Sequence, residues 1–91
     1  MKNSEKAVLT VVGKDTVGIL AKAANCVADK NGNILEVSQS VMDEFFTMNM
    51  LIDVTELDGT VNELELAIKD KLPEMEIHVM HENIFNSMHR I

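Results

Sequence analysis

The chain has 91 residues, 46% of them apolar, and a formal net charge of −7. That length fits one domain with one core and leaves little for a separate catalytic domain. The dispersed acid excess repels phosphate backbones and anionic lipid, so neither nucleic acid nor a membrane surface is an expected partner.

The opening residues, Met1 to Lys6, are polar, and no apolar run approaches the roughly 18 residues of a membrane span, so the expected location is cytoplasmic. Residues 6–12 are rich in Val and Leu and read as a central strand. The strand leads into Val12-Gly13-Lys14-Asp15-Thr16-Val17-Gly18-Ile19-Leu20, a glycine turn that opens a helix. Ile19, Leu20, Ala23, Ala24, Val27 and Ala28 recur on one face of a 3.6-residue period, which predicts a helix from near Thr16 to near Lys30. Thr16 is the expected N-cap, with Asp15 the neighbouring candidate. Cys26, the single cysteine, falls among these alanines; it excludes an internal disulfide and reads as a small buried hydrophobe. Asn31-Gly32-Asn33 stops the helix, with Gly32 expected in the left-handed conformation.

A second strand is expected over 34–43, where Leu35, Val37 and Val41 share one parity and Glu36, Ser38 and Ser40 the other. Asp43-Glu44 is a polar turn. Strand three, Phe45 to Val54, carries the cleanest period-two signal: Phe46, Met48, Met50, Ile52 and Val54 point one way, Thr47, Asn49 and Asp53 the other. Thr60-Val61-Asn62-Glu63 is a capping box. Helix two follows with Val61, Leu64, Ile68 and Leu72 on one face, and Pro73 ends it. Met75 to Met80 is strand four. In the tail, 81–91, Ile84, Phe85, Met88 and Ile91 stand at helical spacing and predict a short terminal helix.

Strand, helix, strand, strand, helix, strand is the order of an α+β, ferredoxin-like βαββαβ fold. Right-handed crossovers place both helices on one face of a four-stranded antiparallel sheet of order 4-1-3-2. The expectation is one domain over 1–91, with a core of about 6–80 and a helical tail. The edge at strand two and the far sheet face stay open unless a second molecule or the tail covers them, which favours a homodimer or a higher homo-oligomer.

The first turn carries the chemistry. Free N–H groups near Val17, Gly18 and Ile19 and the helix dipole attract anions, Lys14 adds a positive charge, and Asp15 can receive an ammonium group. Together they suit a zwitterion such as an amino acid. Strand one runs up, helix one down and strand two up, so the turn and Asn33 lie at opposite ends of one subunit. Pairing along strand two about a two-fold axis would bring the turn of one copy to Asn33 and Ile34 of the other.

The stretch Val-Val-Gly-Lys-Asp-Thr-Val-Gly-Ile-Leu-Ala, then Gly32-Asn33-Ile34 and the segment 34–48, resembles an ACT domain. Within that family it is similar to the small stand-alone ACT proteins of bacteria and archaea, an uncharacterised family related to the ACT regulators of the glycine-cleavage system. The resemblance implies a dimeric regulatory module that binds a small molecule and has no catalysis of its own. It also implies a ligand site in the first turn, and with the chemistry and two-fold geometry above the candidate ligand contacts are Lys14, Asp15, Thr16, Val17, Gly18, Ile19, Asn33 and Ile34. Where many ACT domains have proline before the turn glycine, this chain has Val17. The other reading is a ligand-free interaction module that docks on a larger regulator or enzyme.

No cofactor or metal is expected. On a strand, the offset of three puts His78 and His81 on opposite faces, and no cysteine pair supports them or His89. The methionines read as core filling. An acylphosphatase of this fold would need an arginine in its phosphate loop, but the only arginine is Arg90. An RNA-recognition domain would need sheet aromatics and a basic surface.

Overall fold

The computed structural model describes residues 5–14 and 16–88, the last two as backbone alone. The elements are β1 (Lys6–Lys14), α1 (Ile19–Asp29), β2 (Asn33–Met42), β3 (Phe45–Asp53), α2 (Val61–Lys71), β4 (Glu76–His81) and α3 (Glu82–Met88). One antiparallel sheet holds the four strands in the order β2-β3-β1-β4, the 4-1-3-2 order expected from the sequence read from its other edge.

Strand periodicity positions the core. Ala7, Leu9 and Val11 of β1 pair with Ile52, Met50 and Met48 of β3, and all six are buried. This face packs beneath α1 through Ile19, Ala23, Cys26 and Val27, and beneath α2 through Leu64, Ile68 and Leu72. Fully burying each large aliphatic side chain contributes roughly 1.5–3 kcal/mol. The capping box forms as expected: Glu63 N–H donates to Thr60 Oγ1 at 3.1 Å, and Thr60 N–H to Glu63 Oε1 at 2.8 Å. The tail helix α3 packs on β1 and β4, so it covers part of the second sheet face, and Val8 is buried there.

Three local expectations are corrected. The left-handed residue after α1 is Asn31 (φ 66), not Gly32. Asn31 N–H donates to Ala28 O and Gly32 N–H to Val27 O, both at 2.9 Å, which closes a Schellman motif. Gly32 serves close packing instead: a Cβ there would lie 2.9 Å from Val27 Cγ1 and 3.2 Å from Ile52 Cγ2.

Secondly, β2 contains a bulge between Ile34 and Glu36, with Leu35 the extra residue. The bulge switches the strand's parity, so Ile34 faces the helices together with Val37 and Val41, opposite Ile52, Met50 and Phe46. Thirdly, strand limits shift. β2 begins at Asn33, β4 spans Glu76–His81, and β1 runs on to Lys14, two residues beyond the expected end.

Candidate functional site at the β1–α1 turn

The turn is built differently from its sequence signature. Gly13 and Lys14 belong to β1 and pair with Phe46 and Phe45. A side chain at Gly13 would place its Cβ 2.8 Å from Met75 Sδ, so this glycine admits Met75 instead of bending the chain. Thr16 and Val17 form the exposed tip, and Gly18 is the N-cap in the left-handed region (φ 85) with no side-chain cap bond. The helix therefore starts at Ile19, not near Thr16, and Thr16 is not the cap. The positive φ at Gly18 breaks the helical path before Ile19 and leaves Thr16 outside it. Asp15, the other candidate cap and a candidate ligand contact, lies outside the described residues.

The first helical bond runs from Lys22 N–H to Gly18 O at 3.0 Å. The N–H groups of Ile19, Leu20 and Ala21 precede it and have no partner within the helix. The open donors thus begin at Ile19, two residues later than expected. Ile19 can offer only its backbone, because its side chain is in the core. Val17, by contrast, is 95% exposed.

Lys14, Thr16, Val17, Gly18 and Ile19 come together at one end of the sheet, where Lys14 pairs with Phe45 and Phe45 with Met42. Asn33 and Ile34 stand at the other end, in the rungs of Asp53 and Ile52. Lys6 also pairs with Asp53, so the strand from Lys6 to Lys14 separates the two groups by about 26 Å at 3.3 Å per residue. Asn33 is exposed, and Ile34 packs partly on the core.

A cleft of about 220 Å³ borders the turn. Thr16 and Val17 form one wall; Lys22, Lys71, Leu72, Pro73, Glu74 and Met75 form the rest. It opens toward the α2–β4 connection, on the side of α1 away from β2. Sequence reading missed Lys22 and Lys71. Lys22 stands one helical turn after Gly18 and was within reach of a spacing argument; Lys71 arrives only through the packing of α2 beside α1. A second cleft, about 340 Å³, continues between the helices past Asn25, Cys26 and Asp29.

Cys26 behaves as the sequence suggests. It is buried, and its Sγ lies 3.8 Å from Ala67 O. Burial pushes its thiol pKa up, Lys71 pulls it back, and Asp29 adds to the rise. Among the described residues, no three His, Cys, Asp or Glu side chains are placed to hold a metal ion. His78 pairs with Thr10 and His81 with Ala7, residues of opposite parity on β1, while His89 lies outside the described residues. No helix among the described residues is long and apolar enough to cross a membrane.

Residues 5–82 match the family model of the ACT domain. A UPF0237 protein of Listeria monocytogenes is 46% identical over 88 residues, a match covering 94% of this chain and 99% of the relative. A UPF0237 protein of the archaeon Methanococcus maripaludis is 40% identical over 89 residues, covering 96% and 99%. Among solved structures, an ACT domain protein from Streptococcus pneumoniae superposes with a TM-score of 0.74 at 37% identity, over 96% of this chain and all of that one.

Proposed function

The chain belongs to the ACT domain family, and from that premise we propose that it is a non-catalytic regulatory module of the cytoplasm. It binds an amino acid at the interface of a homodimer. The observation that carries this reading is the unequal treatment of the two sheet edges. The β4 border lies against α2. The β2 border meets α1 only lightly, and Leu35, Val37 and Val41 are all exposed on it. On a helical projection, Leu20 and Ala24 occupy the side of α1 opposite Lys22, Cys26 and Asp29, and Leu20 is exposed as well. An apolar border made of a strand edge and a helix flank suits a second copy related by a two-fold axis.

Such an axis inverts the partner. The free N–H groups of Ile19, Leu20 and Ala21 in one protomer then face Asn33 and Ile34 of the next. The helix N-terminus takes the ligand carboxylate, with Lys14 supporting the negative charge. Asp15 and the Asn33 side chain remain for the ammonium group, with Thr16, Val17 and Gly18 forming the wall. Charge-assisted hydrogen bonds contribute roughly 1.5–3 kcal/mol each. A few of them, set against the cost of association, give the modest affinity a metabolite sensor needs.

Thermal-shift screening against the twenty amino acids tests the reading. A selective rise in Tm supports it, and Asn33→Ala should then weaken binding in calorimetry without lowering the Tm of the free protein. Unchanged affinity in that variant removes Asn33 from the site. One observation favours a ligand-free docking module instead. Val12 (41% exposed), Phe45 (62%) and Met42 (76%) make an apolar patch on the end of the sheet face that also holds the turn. A stable dimer with no Tm shift for any amino acid would select that alternative.

A further inference from the structure

The two clefts between α1 and α2 share the same two side chains, Lys22 and Lys71. They form one trough with the lysines at its waist, on the flank of the protomer away from the β2 edge. Lys22 lies folded back along its helix: a Cβ built on Gly18 would sit 4.0 Å from Lys22 Cε.

Among the described residues, neither Lys22 nor Lys71 makes an ion pair. Lys6, Lys14 and Lys30 also lack an ion pair among the described residues, so what sets Lys22 and Lys71 apart is the cleft they share. Lys69, on the same helix turn, is paired with Glu65 at 3.3 Å. Lys71, though exposed, borders the same cleft as the buried Cys26 and lowers its thiol pKa. Two unpaired ammonium groups beside one cleft repel each other, and an anion between them reverses the sign of that interaction.

We infer that this trough is a second binding site, complete within one protomer, for a small organic anion whose carboxylate or phosphate group lies between Lys22 and Lys71. Leu72 and Met75 give the first cleft an apolar wall for a short carbon chain. Glu74 at one end and Asp29 at the other repel long polyanions, which limits the ligand to a compact one. Only Thr16 and Val17 are common to this site and the interface site proposed above.

The test is an amide NMR titration of the whole chain with inorganic phosphate, acetate and glycine in turn, at constant ionic strength balanced with sodium chloride. Saturable shifts confined to 16–22 and 71–75 are expected for at least one probe. Saturation by phosphate alone identifies a phosphate ligand; saturation by acetate and glycine identifies a carboxylate. Lys22→Gln with Lys71→Gln, both at exposed positions, should weaken that binding about tenfold or more through loss of two charge-assisted bonds. Arginine at both positions should restore it, and Asn33→Ala should leave it unchanged, which separates this site from the interface site. Shifts that never saturate for any probe, or equal binding by the double glutamine variant, would overturn the inference.

Discussion

The backbone N–H of Val79 donates to Glu65 Oε1 at 2.7 Å. Val79 belongs to β4, an edge strand, and the bond leaves the strand on the side away from β1. A carboxylate from α2 thus occupies a donor that would otherwise invite another strand. The same carboxyl group holds Lys69 through its second oxygen. No comparable side-chain bond from α1 to β2 is found among the described residues.

Glu65→Ala should therefore destabilise the fold by about 1–3 kcal/mol, the cost of leaving a poorly solvated N–H without its acceptor. Urea denaturation gives the magnitude, and faster hydrogen exchange at the Val79 amide gives the place. An unchanged exchange rate would show that the strand border does not depend on Glu65.

Gly18 stands at φ 85, and a Cβ there would make only an ordinary 4.0 Å contact with Lys22 Cε. Gly18→Ala should cost roughly 1–2 kcal/mol through backbone strain alone. Gly18→Asn should cost less, because asparagine enters the left-handed region more readily. Equal losses in thermal unfolding would point to a contact in place of backbone conformation.

Gly32 fails for the opposite reason. Its φ is ordinary, but an added Cβ meets Val27 and Ile52, both in the core. Gly32→Ala should destabilise by about 1–3 kcal/mol as an overpacked site. The partner substitution Val27→Ala should offset part of that loss in a double-mutant cycle, whereas simple additivity would argue against the clash.

These two glycines mark where sequence reading ends. β3 was legible because one face is buried along its whole length, so the pleat writes itself as alternation. The α2 start was legible because Thr60 and Glu63 satisfy each other locally. At α1 the strongest local signal, a threonine beside an aspartate, pointed to the wrong cap: the left-handed backbone at Gly18 begins the helix without any side-chain oxygen. In β2 the bulge at Leu35 changes which residues share a face, and a parity count cannot register an extra residue. The Gly13–Met75 approach and the placing of Lys22 and Lys71 beside one cleft depend on tertiary packing between distant segments. Of the candidate interface site, the sequence revealed the turn and Asn33 and their placement at opposite ends; the open donors themselves lie further along α1.

Cys26 supplies a pH dependence. Its folded-state pKa is raised above the ordinary 9.0, mainly by burial. The protonated thiol is thus favoured by folding, and its contribution is fully present below pH 9 and is lost as pH rises through the folded value. Stability should fall above pH 9, and Cys26→Ala should flatten that part of the curve. At pH 8 the thiol should resist alkylation in the folded protein and react in urea. Rapid labelling of the native protein would contradict the burial argument.

The most direct measurement concerns the shared interface site and uses two defective proteins. Gly18→Asp places a carboxylate where the ligand's would bind, and Asn33→Ala removes the contact from the opposite protomer. Gly18→Asp alone should bind no amino acid in calorimetry, and Asn33→Ala alone should bind more weakly than the wild type. Mixed in equal amounts and allowed to exchange subunits, they form dimers in which one site joins an intact turn to an intact Asn33. With random isologous pairing, about a quarter of all sites should recover wild-type affinity. Recovery at that level is the predicted result. No recovery after proven subunit exchange would contradict a site built from two protomers.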